Sequence, residues 1–588
     1  MSYTINPNAK NKWARNAENT MDLSIETDAS SVYLDNGRTL EQELGEGFMV
    51  SNVATIDSAM SKVVDGTLDG AYESGVMYGR SLVNLSNLHK SFNDATLGDY
   101  YVDTSLCETS KLKLGTPYTL VFYTTVHGGD HDIYSGFELG VGNELHGTNA
   151  HPKITTGHWG TLVKNGWSKM CVTFTDFLGY KYLSLRPIRC HAPESGKSIR
   201  FSIEGFILLE GDWSNKDLPF NDYFTGICDV KMPILRNVGK NLFDGSYEQD
   251  KYINEHGIIS DSADWCATDF IRVRPNTTYT QNKNIPSSIV YFCFYNEDKQ
   301  LISATQPINY NRTFTTPNNC HFIRTSWKYS IDGFDFQFEE GTETTTYEDH
   351  KTNILHTPEE VVLRSLPNGV CDTLNLNTGE YIQRIGEVIK NNATGFRLST
   401  AGWENKSNVC TFENFKPEGM KVQEAKDKPT LNCDKIPSNT FTTQWSNSKG
   451  IESITQHGGG GIVLSITRNK LLIQDVDGLN TYLQSNPLTI QYELATPITT
   501  TIEPLSVLFA YENGHIVLES GFEGQSLLPT LEYSTVINRT GQIQSIANTI
   551  QKQEKQITKL EQMLIQNIID LDYKNTLLTL KNEMEEML

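Results

Sequence analysis

The stretches TPYTLVFYTTV (residues 116–126), WSKMCVTFTDF (residues 167–177) and SIRFSIEGFILLEG (residues 198–211) decide the fold class. They are rich in β-branched and aromatic residues, which favour strands. The last two alternate apolar and polar residues, as strands with one buried face do. Turn residues separate such runs at spacings of about ten residues, a pattern typical of sandwiches. The sequence therefore predicts a mainly β protein of tandem jelly-roll or β-sandwich modules.

An internal repeat predicts two related modules. GRSLVNLS (residues 79–86) resembles GKNLFDGS (residues 239–246), and each precedes a strand-rich region. The two regions also end alike, in residues 203–223 and 331–350, with an apolar strand, an acid-glycine turn and an extended aromatic tail. Repeated modules on one chain suit binding or scaffolding better than a single catalytic site.

These patterns predict a linear series of regions along the 588 residues. The first is a small N-terminal attachment or linker region, followed by β modules, a hairpin connector and a helical tail. The predicted bounds are 1–78 for the attachment region, 79–228 for β-sandwich module 1 (carbohydrate-binding-like), 233–353 for β-sandwich module 2, 354–390 for the β-hairpin connector, 391–530 for β-rich module 3, and 540–588 for a coiled-coil trimerisation or docking helix.

The tail has the clearest local pattern. From Thr540 onward the chain lacks proline, and apolar residues recur at alternating spacings of three and four, which indicates a coiled coil. Isoleucine at both early seam positions favours a homotrimer, and the polar Gln553 fixes register and oligomer number at a cost in stability. The alternative is an amphipathic helix that packs on its own domain. The predicted oligomerisation residues are Ile543, Ile546, Ile550, Gln553, Ile557, Leu560 and Leu564.

The charge balance excludes several partners. The formal net charge is −22, and an acidic surface repels phosphate backbones and anionic membranes. We therefore expect no nucleic acid partner. No stretch is long and apolar enough to span a bilayer, so we expect no membrane insertion. The N-terminal sequence lacks an apolar signal region, which predicts synthesis in the host cytoplasm without a signal peptide. Neutral glycans remain open as ligands.

Motifs of catalysis and metal binding are missing from the sequence. It contains no C-x-x-C, H-E-x-x-H, G-x-S-x-G, P-loop or dinucleotide fingerprint. HGGDHD (residues 127–132) is the densest group of ligand-type side chains, and we interpret it as a solvated turn. The ten scattered cysteines are interpreted as free, buried thiols. We expect no enzyme activity, no catalytic residues, no metal site and no cofactor.

Aromatic residues in polar, turn-rich stretches are the candidates for glycan binding. Sugars stack on exposed aromatic rings that have amide and carboxylate groups beside them, whereas most aromatic residues fill cores. The predicted glycan-binding residues are Trp159, Trp265, Trp327 and Tyr329.

Several phrases resemble a known class of protein. LRSLPNGVCDTLNLNTGEYIQRIGEV (residues 363–388), LTIQYELATPITTTI (residues 488–502), GKNLFD (residues 239–244) and FQFEEGTETTTYEDH (residues 336–350) resemble segments of tail fibre and baseplate proteins of phages that infect Gram-positive bacteria. NGWSKMCVTFT (residues 165–175) is similar to carbohydrate-binding jelly-roll modules. The resemblance implies a receptor-binding component of a virion tail, or of a phage-tail-like bacteriocin particle, with other tail or baseplate proteins as partners. It implies no particular binding residue.

Three functions are compatible with these features. The first is host attachment, in which the modules bind cell-surface polysaccharide and trimerisation multiplies weak affinities. The second is a structural baseplate or fibre-connector protein without direct receptor binding. The third is a glycan-degrading tail enzyme, which requires two carboxylates facing each other in a groove.

The tail pattern makes a testable prediction at Gln553. Replacing it with isoleucine should raise the melting temperature of the assembled protein and risks changing the oligomer number, because an apolar seam residue packs better but specifies less. Calorimetry and light scattering measure the two effects. Unchanged stability in Gln553→Ile would place this residue off the seam.

Overall fold

The computed structural model confirms a mainly β protein. Within the described residues, a central β scaffold carries three inserted modules. We define the scaffold as the strands of residues 49–83, 226–238, 352–390 and 488–538. The residues that the structure describes are 4–5, 32–33, 49–86, 92–97, 104–109, 112, 115–128, 134–142, 153–157, 159–160, 168–177, 180, 182–189, 199–213, 226–283, 290–297, 299–306, 312–399, 409–440, 452–459, 461–502, 508–521, 527–538, 551, 554–555, 557–566 and 573–582.

The largest sheet of the scaffold is antiparallel throughout and joins segments from both ends of the chain. Met49–Ile56 pairs with Thr530–Asn538 along its whole length, from Met49 opposite Asn538 to Ile56 opposite Leu531. In order across this sheet the strands are Met49–Ile56, Thr530–Asn538, Ser74–Tyr78, Thr373–Asn375, Glu380–Lys390, Leu488–Thr501 and Leu431–Cys433.

Smaller sheets complete the scaffold and enclose its core. Buried side chains such as Met77, Leu374 and Leu531 of the large sheet pack with Leu235 and Ile516 of a four-stranded sheet. The smaller sheets comprise Thr352–His356, Pro233–Val238, His515–Ser520 and Met60–Lys62; Val362–Leu363, Ile227–Lys231 and Ser81–Val83; and Phe509–Ala510 with Gly70–Ala71. A separate pair joins Thr4–Ile5 to Val32–Tyr33.

Module 1 (residues 84–213) consists of two four-stranded antiparallel sheets around one core. Phe122 of one sheet meets Phe137 of the other edge-to-face, with ring centroids 4.7 Å apart. In the sheet that contains Phe122, the side chains of Val121 and Ile207 point to the opposite face and pack in the scaffold core, so this sheet is buried on both faces. The strands are Ser168–Phe174, Tyr118–Gly128, Ile199–Glu210 and Phe92–Leu97 in one sheet, and Lys153–Gly157, Tyr134–Gly142, Tyr182–Arg189 and Thr104–Glu108 in the other.

Module 2 (residues 239–351) is three small antiparallel sheets around an aromatic core. Its core includes Trp327 and Phe338 together with Met60, Val238 and Val517 of the scaffold, so this module is also packed firmly on the scaffold. Its elements are Tyr247–Ile253, Ile259–Thr268 and Ser326–Lys328; Ile271–Arg272, Phe322–Arg324, Phe292–Tyr295 and Leu301–Thr305; Thr313–Thr315, Thr278–Gln281 and Phe338–Glu340; and the single helical turn Tyr329–Asp332.

Module 3 (residues 391–487) covers the far end of the large sheet. Its one longer helix begins where the Asp475 carboxylate caps the chain by accepting a hydrogen bond from the backbone N–H of Gly478, 2.9 Å away. Leu479 and Leu483 of this helix are buried against Ile490 of the scaffold. The elements are Arg397–Leu398, Val409–Phe415, Gly461–Thr467 and Ser453–His457 in one sheet, the 3-10 turn Arg468–Lys470 and the helix Val476–Ser485.

Modules 1 and 2 share one hydrogen-bond arrangement at their ends, which we call the asparagine clamp. The Oδ1 atom of Asn84 accepts from the N–H groups of Ser86 and Leu208, both at 3.0 Å, and its Nδ2 donates to the carbonyl of Phe206 at 3.0 Å. Each clamp thus ties the first residues of its module to the last strand. The buried amide satisfies backbone groups that would otherwise lack partners.

Asn241 repeats this geometry in module 2. Its Oδ1 accepts from Phe243 and Phe338 at 3.1 Å, and its Nδ2 donates to the carbonyl of Phe336 at 3.3 Å. The two modules therefore share this local arrangement, but not in the alignment that the sequence suggests. Asn84 corresponds to Asn241, whereas the matched glycines of the sequence would place Ser81 there.

The division of the chain differs from the predicted linear order. The region 1–78 is not a separate attachment domain, because its strands from residue 49 onward lie in the scaffold. The connector 354–390 and the last part of the predicted module 391–530 also belong to the scaffold. Strand pairing joins segments that are remote in sequence, and a local pattern does not reveal the partner of a strand.

The tail is helical at residues 557–566 and 573–582. Its predicted seam residues Ile557, Leu560 and Leu564 are 55%, 60% and 61% exposed, so nothing in the described part of the chain covers them. Ile543, Ile546, Ile550 and Gln553 lie outside the described residues.

The asparagine clamp gives a stability prediction. Asn241→Ala removes the partners of two buried N–H groups and of the carbonyls of Phe336 and Glu348. Each such loss costs about 1–3 kcal/mol, so we expect module 2 to lose about 3 kcal/mol or more. Denaturant unfolding followed by tryptophan fluorescence measures this. Asn391→Ala, at an exposed position, is the control and should change stability little. Equal behaviour of the two variants would contradict the clamp.

A second prediction concerns pH at the contact between module 2 and the scaffold. His515 is fully buried and its Nε2 lies 3.0 Å from Glu340, which also forms a two-bond pair with Arg274. Burial lowers the pKa of His515. The unfolded chain takes up a proton as pH falls through about 6.5 while the folded chain does not, so this residue lowers stability on acidification.

The measurement compares the wild type with His515→Gln, which keeps a donor at the Nε2 position. Between pH 7 and 5, the unfolding free energy of the wild type should fall relative to that of the variant. The difference between the two proteins is measured because another group titrates in the same pH range. Burial raises the pKa of Asp372 to about 6, so protonation of Asp372 stabilises the folded chain as the pH falls below that value. A constant difference across this pH range would contradict the prediction.

Candidate functional site

Two of the four predicted glycan-binding residues lie in the core of module 2. Trp265 and Trp327 are 6% and 0% exposed, so neither ring offers a face to a ligand. Their prediction as stacking platforms was wrong. The strand Ile259–Thr268 enters the core at Trp265: its residues are exposed or half-buried up to Asp264 and buried from Trp265 onward. The polar residues before Trp265 in the sequence therefore do not report where the indole lies.

Trp159 is half-buried at the edge of the core of module 1. Its ring stacks on Phe137, with centroids 6.0 Å apart, and meets Phe122 edge-on at 6.3 Å. Most of the ring surface is thus engaged by other aromatic residues. Trp159 contributes to packing, and the structure brings no second exposed ring of the described residues to it.

Tyr329 is half-buried against the core of module 2 and contacts exposed rings. We call this group the aromatic patch and define it as Tyr247, Tyr329 and Phe334. Tyr329 stacks on Phe334 with centroids 5.0 Å apart and planes inclined by 16°. Phe334 in turn stacks on Tyr247 at 6.0 Å and 27°. These separations exceed the roughly 3.5–4.0 Å of direct carbon contact, so the rings are offset and part of each face stays open.

Exposure distinguishes this patch from the core beneath it. Phe334 is 46% exposed and Tyr247 is 37% exposed, although apolar rings of this size are usually buried. Ile331, on the same helical turn, is 65% exposed. An exposed apolar patch on an otherwise acidic surface indicates an interaction site.

The buried Trp327 positions the patch. Its indole N–H donates to the carbonyl of Gly333 at 3.0 Å, which fixes the end of the helical turn Tyr329–Asp332. Gly333 has a φ of 70°, a conformation that a residue with a side chain adopts only at a cost. This bend turns Phe334 outward, while Tyr247 rests edge-on against Trp327 with centroids 5.4 Å apart. The patch therefore stands on a rigid support.

Polar groups border the patch on one side. The hydroxyl of Tyr329 donates to Asp250 at 2.9 Å. Asp250 and Asp264 both have positive φ, at 56° and 71°, within an irregularity of the paired strands Tyr247–Ile253 and Ile259–Thr268. A hydrogen bond with Gln249 lowers the pKa of Tyr329, but the hydrogen bond to Asp250 and the nearby acidic charge outweigh it and raise that pKa. Tyr329 thus stays protonated and its hydroxyl remains a donor.

Tyr247 and Phe334 were missed at the sequence level. Phe334 lies in IDGFDFQF, where the alternation of phenylalanine with polar residues is typical of a buried strand. The available signal was the Asp-Gly pair before it, which favours a turn and so breaks the alternation at this point. Tyr247 has no comparable signal in the sequence, because its place beside Phe334 is set by the tertiary structure.

The described part of the chain contains no metal-binding group, disulfide or membrane-spanning helix. Among the described residues no group of three or more His, Cys, Asp or Glu side chains could hold a metal ion. Part of the segment HGGDHD lies outside these residues. The nine cysteines that the structure describes are all free. No helix in the described ranges is long and apolar enough to cross a bilayer.

Comparison with known proteins adds no assignment. No family model matches the chain, and no curated protein is significantly similar to it in sequence.

Proposed function

We propose that the chain is a component of a phage tail or of a phage-tail-like bacteriocin particle, and that it attaches the particle to bacterial cells by binding neutral surface glycan. The aromatic patch of module 2 is the observation that carries this proposal. In this account modules 1 and 2 act as carbohydrate-binding-type β modules. The resemblance of residues 336–350 and 363–388 to tail and baseplate proteins supports the particle assignment.

The patch has the chemistry that a sugar requires. Open parts of the rings of Tyr247, Tyr329 and Phe334 can contact the C–H faces of a pyranose, and the neighbouring Gln249 and Asp250 offer hydrogen-bonding groups for its hydroxyls. No cofactor or metal is needed for this mode of binding. The support from Trp327 and Gly333 lowers the conformational cost of binding, because the rings are already in place.

The charge around the patch favours a neutral glycan. The exposed residues Asp250, Asp264 and Asp335 lie near the rings, and the chain as a whole carries a formal charge of −22. An anionic polymer would meet repulsion from these groups. The proposed ligand is therefore an uncharged stretch of cell-surface polysaccharide.

The exposed tail supplies the proposed oligomerisation. Ile557, Leu560 and Leu564 recur at spacings of three and four on a helix that no other described residue covers. In the second helical segment, Tyr573, Leu577 and Leu580 repeat the spacing of four and three and are about half exposed or more. Burial of these residues in a homotrimeric coiled coil removes them from water and places three copies of the patch on one particle part.

A structural connector role is the second candidate, because an exposed aromatic patch also fits the surface of another protein. The two functions differ in what the patch contacts. Glycan attachment requires the patch to face outward in the particle, whereas a connector has its patch covered by neighbouring proteins.

The experiment measures binding of the assembled protein to isolated Gram-positive cell walls and to an array of neutral oligosaccharides. Phe334→Ala and Tyr247→Ala should each weaken binding about tenfold, since loss of an aromatic contact costs about 1.4 kcal/mol or slightly less. Tyr347→Ala, which removes a comparably exposed ring elsewhere in module 2, is the matched control. Equal binding by all three variants would reject the patch as the glycan site. If the protein binds other particle proteins but no cell wall or oligosaccharide, the connector role is favoured.

A further inference from the structure

A large cleft lies where module 1, module 3 and the scaffold meet. Its volume is about 1240 Å³. Sites for drug-sized ligands have about 300–1,000 Å³, so this cleft has room for a larger ligand. Ser86 of module 1, Asn486 of module 3 and Arg364 of the scaffold are among its lining residues. The cleft is separate from the aromatic patch, which belongs to module 2.

The scaffold wall of the cleft is a fixed polar network. The amide of Gln491 donates to Asp229 at 2.8 Å and to Glu387 at 3.1 Å, so one side chain holds two carboxylates. Ser81 donates to the other oxygen of Asp229, and Asn432 donates to Gln491 at 3.1 Å. Such a connected network is rigid and needs no rearrangement to receive a ligand.

Arg364 is the exception within this wall. Its guanidinium lies 3.7 Å from Asp229, 3.8 Å from Glu387 and 3.9 Å from Asp372, distances that give charge attraction without a hydrogen bond. The Nε atom is buried with no hydrogen-bond partner among the described residues. A buried donor without an acceptor is costly. The carboxylates thus neutralise the positive charge of Arg364 without using its hydrogen-bond donors.

Two other cations of the cleft, Lys470 and Lys435, also lie close to carboxylates. Lys470 lies 2.8 Å from Glu452 and 3.1 Å from Glu108. Lys435 lies 4.0 Å from Asp434 and donates to the carbonyl of Pro487. An anionic ligand would have to displace these carboxylates. A neutral ligand with many hydroxyl groups can instead bond to donors and acceptors of the walls as they stand.

We propose that the junction cleft is a second glycan site, which binds an uncharged oligosaccharide several rings long. It deepens the proposed function and rests on that function for the class of ligand. The hydroxyls of the chain accept from Arg364 and Asn486 and donate to Asp229 or Glu387. One bound chain contacts module 1, the scaffold and module 3 together. The aromatic patch and the cleft thus form two contacts with the same type of polymer.

The test titrates the full chain with neutral oligosaccharides of two to six rings, and with the same chains bearing carboxylate or phosphate groups. Arg364→Lys keeps the charge but removes the planar set of donors, and Asn486→Ala alters the opposite wall. Each should weaken binding of the neutral chains about tenfold. Arg236→Lys is the matched control, because Arg236 pairs with Glu519 outside the cleft lining. Melting temperatures verify folding, and Asn486→Ala keeps the test valid if Arg364→Lys unfolds.

Hydrogen exchange separates this site from the patch. Bound neutral oligosaccharide should protect amides of residues 227–231 and 486–491, and this protection should persist in Phe334→Ala. If Phe334→Ala binds cell walls normally and oligosaccharide still protects the amides of the cleft, the patch is rejected as a glycan site and the cleft proposal is supported. Protection at residues 329–334 alone, wild-type affinity in both cleft variants, preference for the charged chains or no binding of any neutral chain would each overturn the cleft proposal.

Discussion

Two buried asparagines hold this architecture together. Asn84 and Asn241 each bridge the first residues of a module to its last strand, and they do so with the same donors and acceptors. A module whose two ends are fixed side by side can be inserted between neighbouring scaffold strands without disturbing them. The clamp is therefore the constraint that lets large β modules project from a continuous scaffold, and its loss exposes several backbone groups at once.

The scaffold gives both proposed binding surfaces a firm base. Val121 and Ile207 of module 1 and Trp327 of module 2 belong to cores that also contain scaffold residues, so neither module is attached by a linker alone. Modules fixed in this way hold the aromatic patch and the junction cleft at set positions. Rigid presentation lowers the cost of engaging two sites on one polymer, and trimerisation through the proposed coiled coil multiplies the effect.

The sequence predicts local structure well and tertiary partners poorly. The strand in residues 116–126 and the helical segments of the tail follow from residue type and spacing. The similarity of residues 79–86 and 239–246 is visible in the sequence, but the matched glycines do not align the two clamp asparagines. The pairing of Met49–Ile56 with Thr530–Asn538 cannot be predicted from residue type and spacing, because the backbone groups that pair two strands do not specify which strand is the partner. The same limit applies to the site. Of the predicted residues, Tyr329 lies in the aromatic patch, whereas the rings of Trp265 and Trp327 are buried in the core.

The pairing of Met49–Ile56 with Thr530–Asn538 makes the N-terminal region part of the scaffold. Hydrogen exchange in increasing denaturant measures it directly. The amides of residues 50–56 and of residues 531–537 should open together, with one free energy and one denaturant dependence, because they share a ladder of hydrogen bonds. Rapid exchange in residues 50–56 while residues 531–537 stay protected would show that the N-terminal region is an independent attachment segment and would contradict the account.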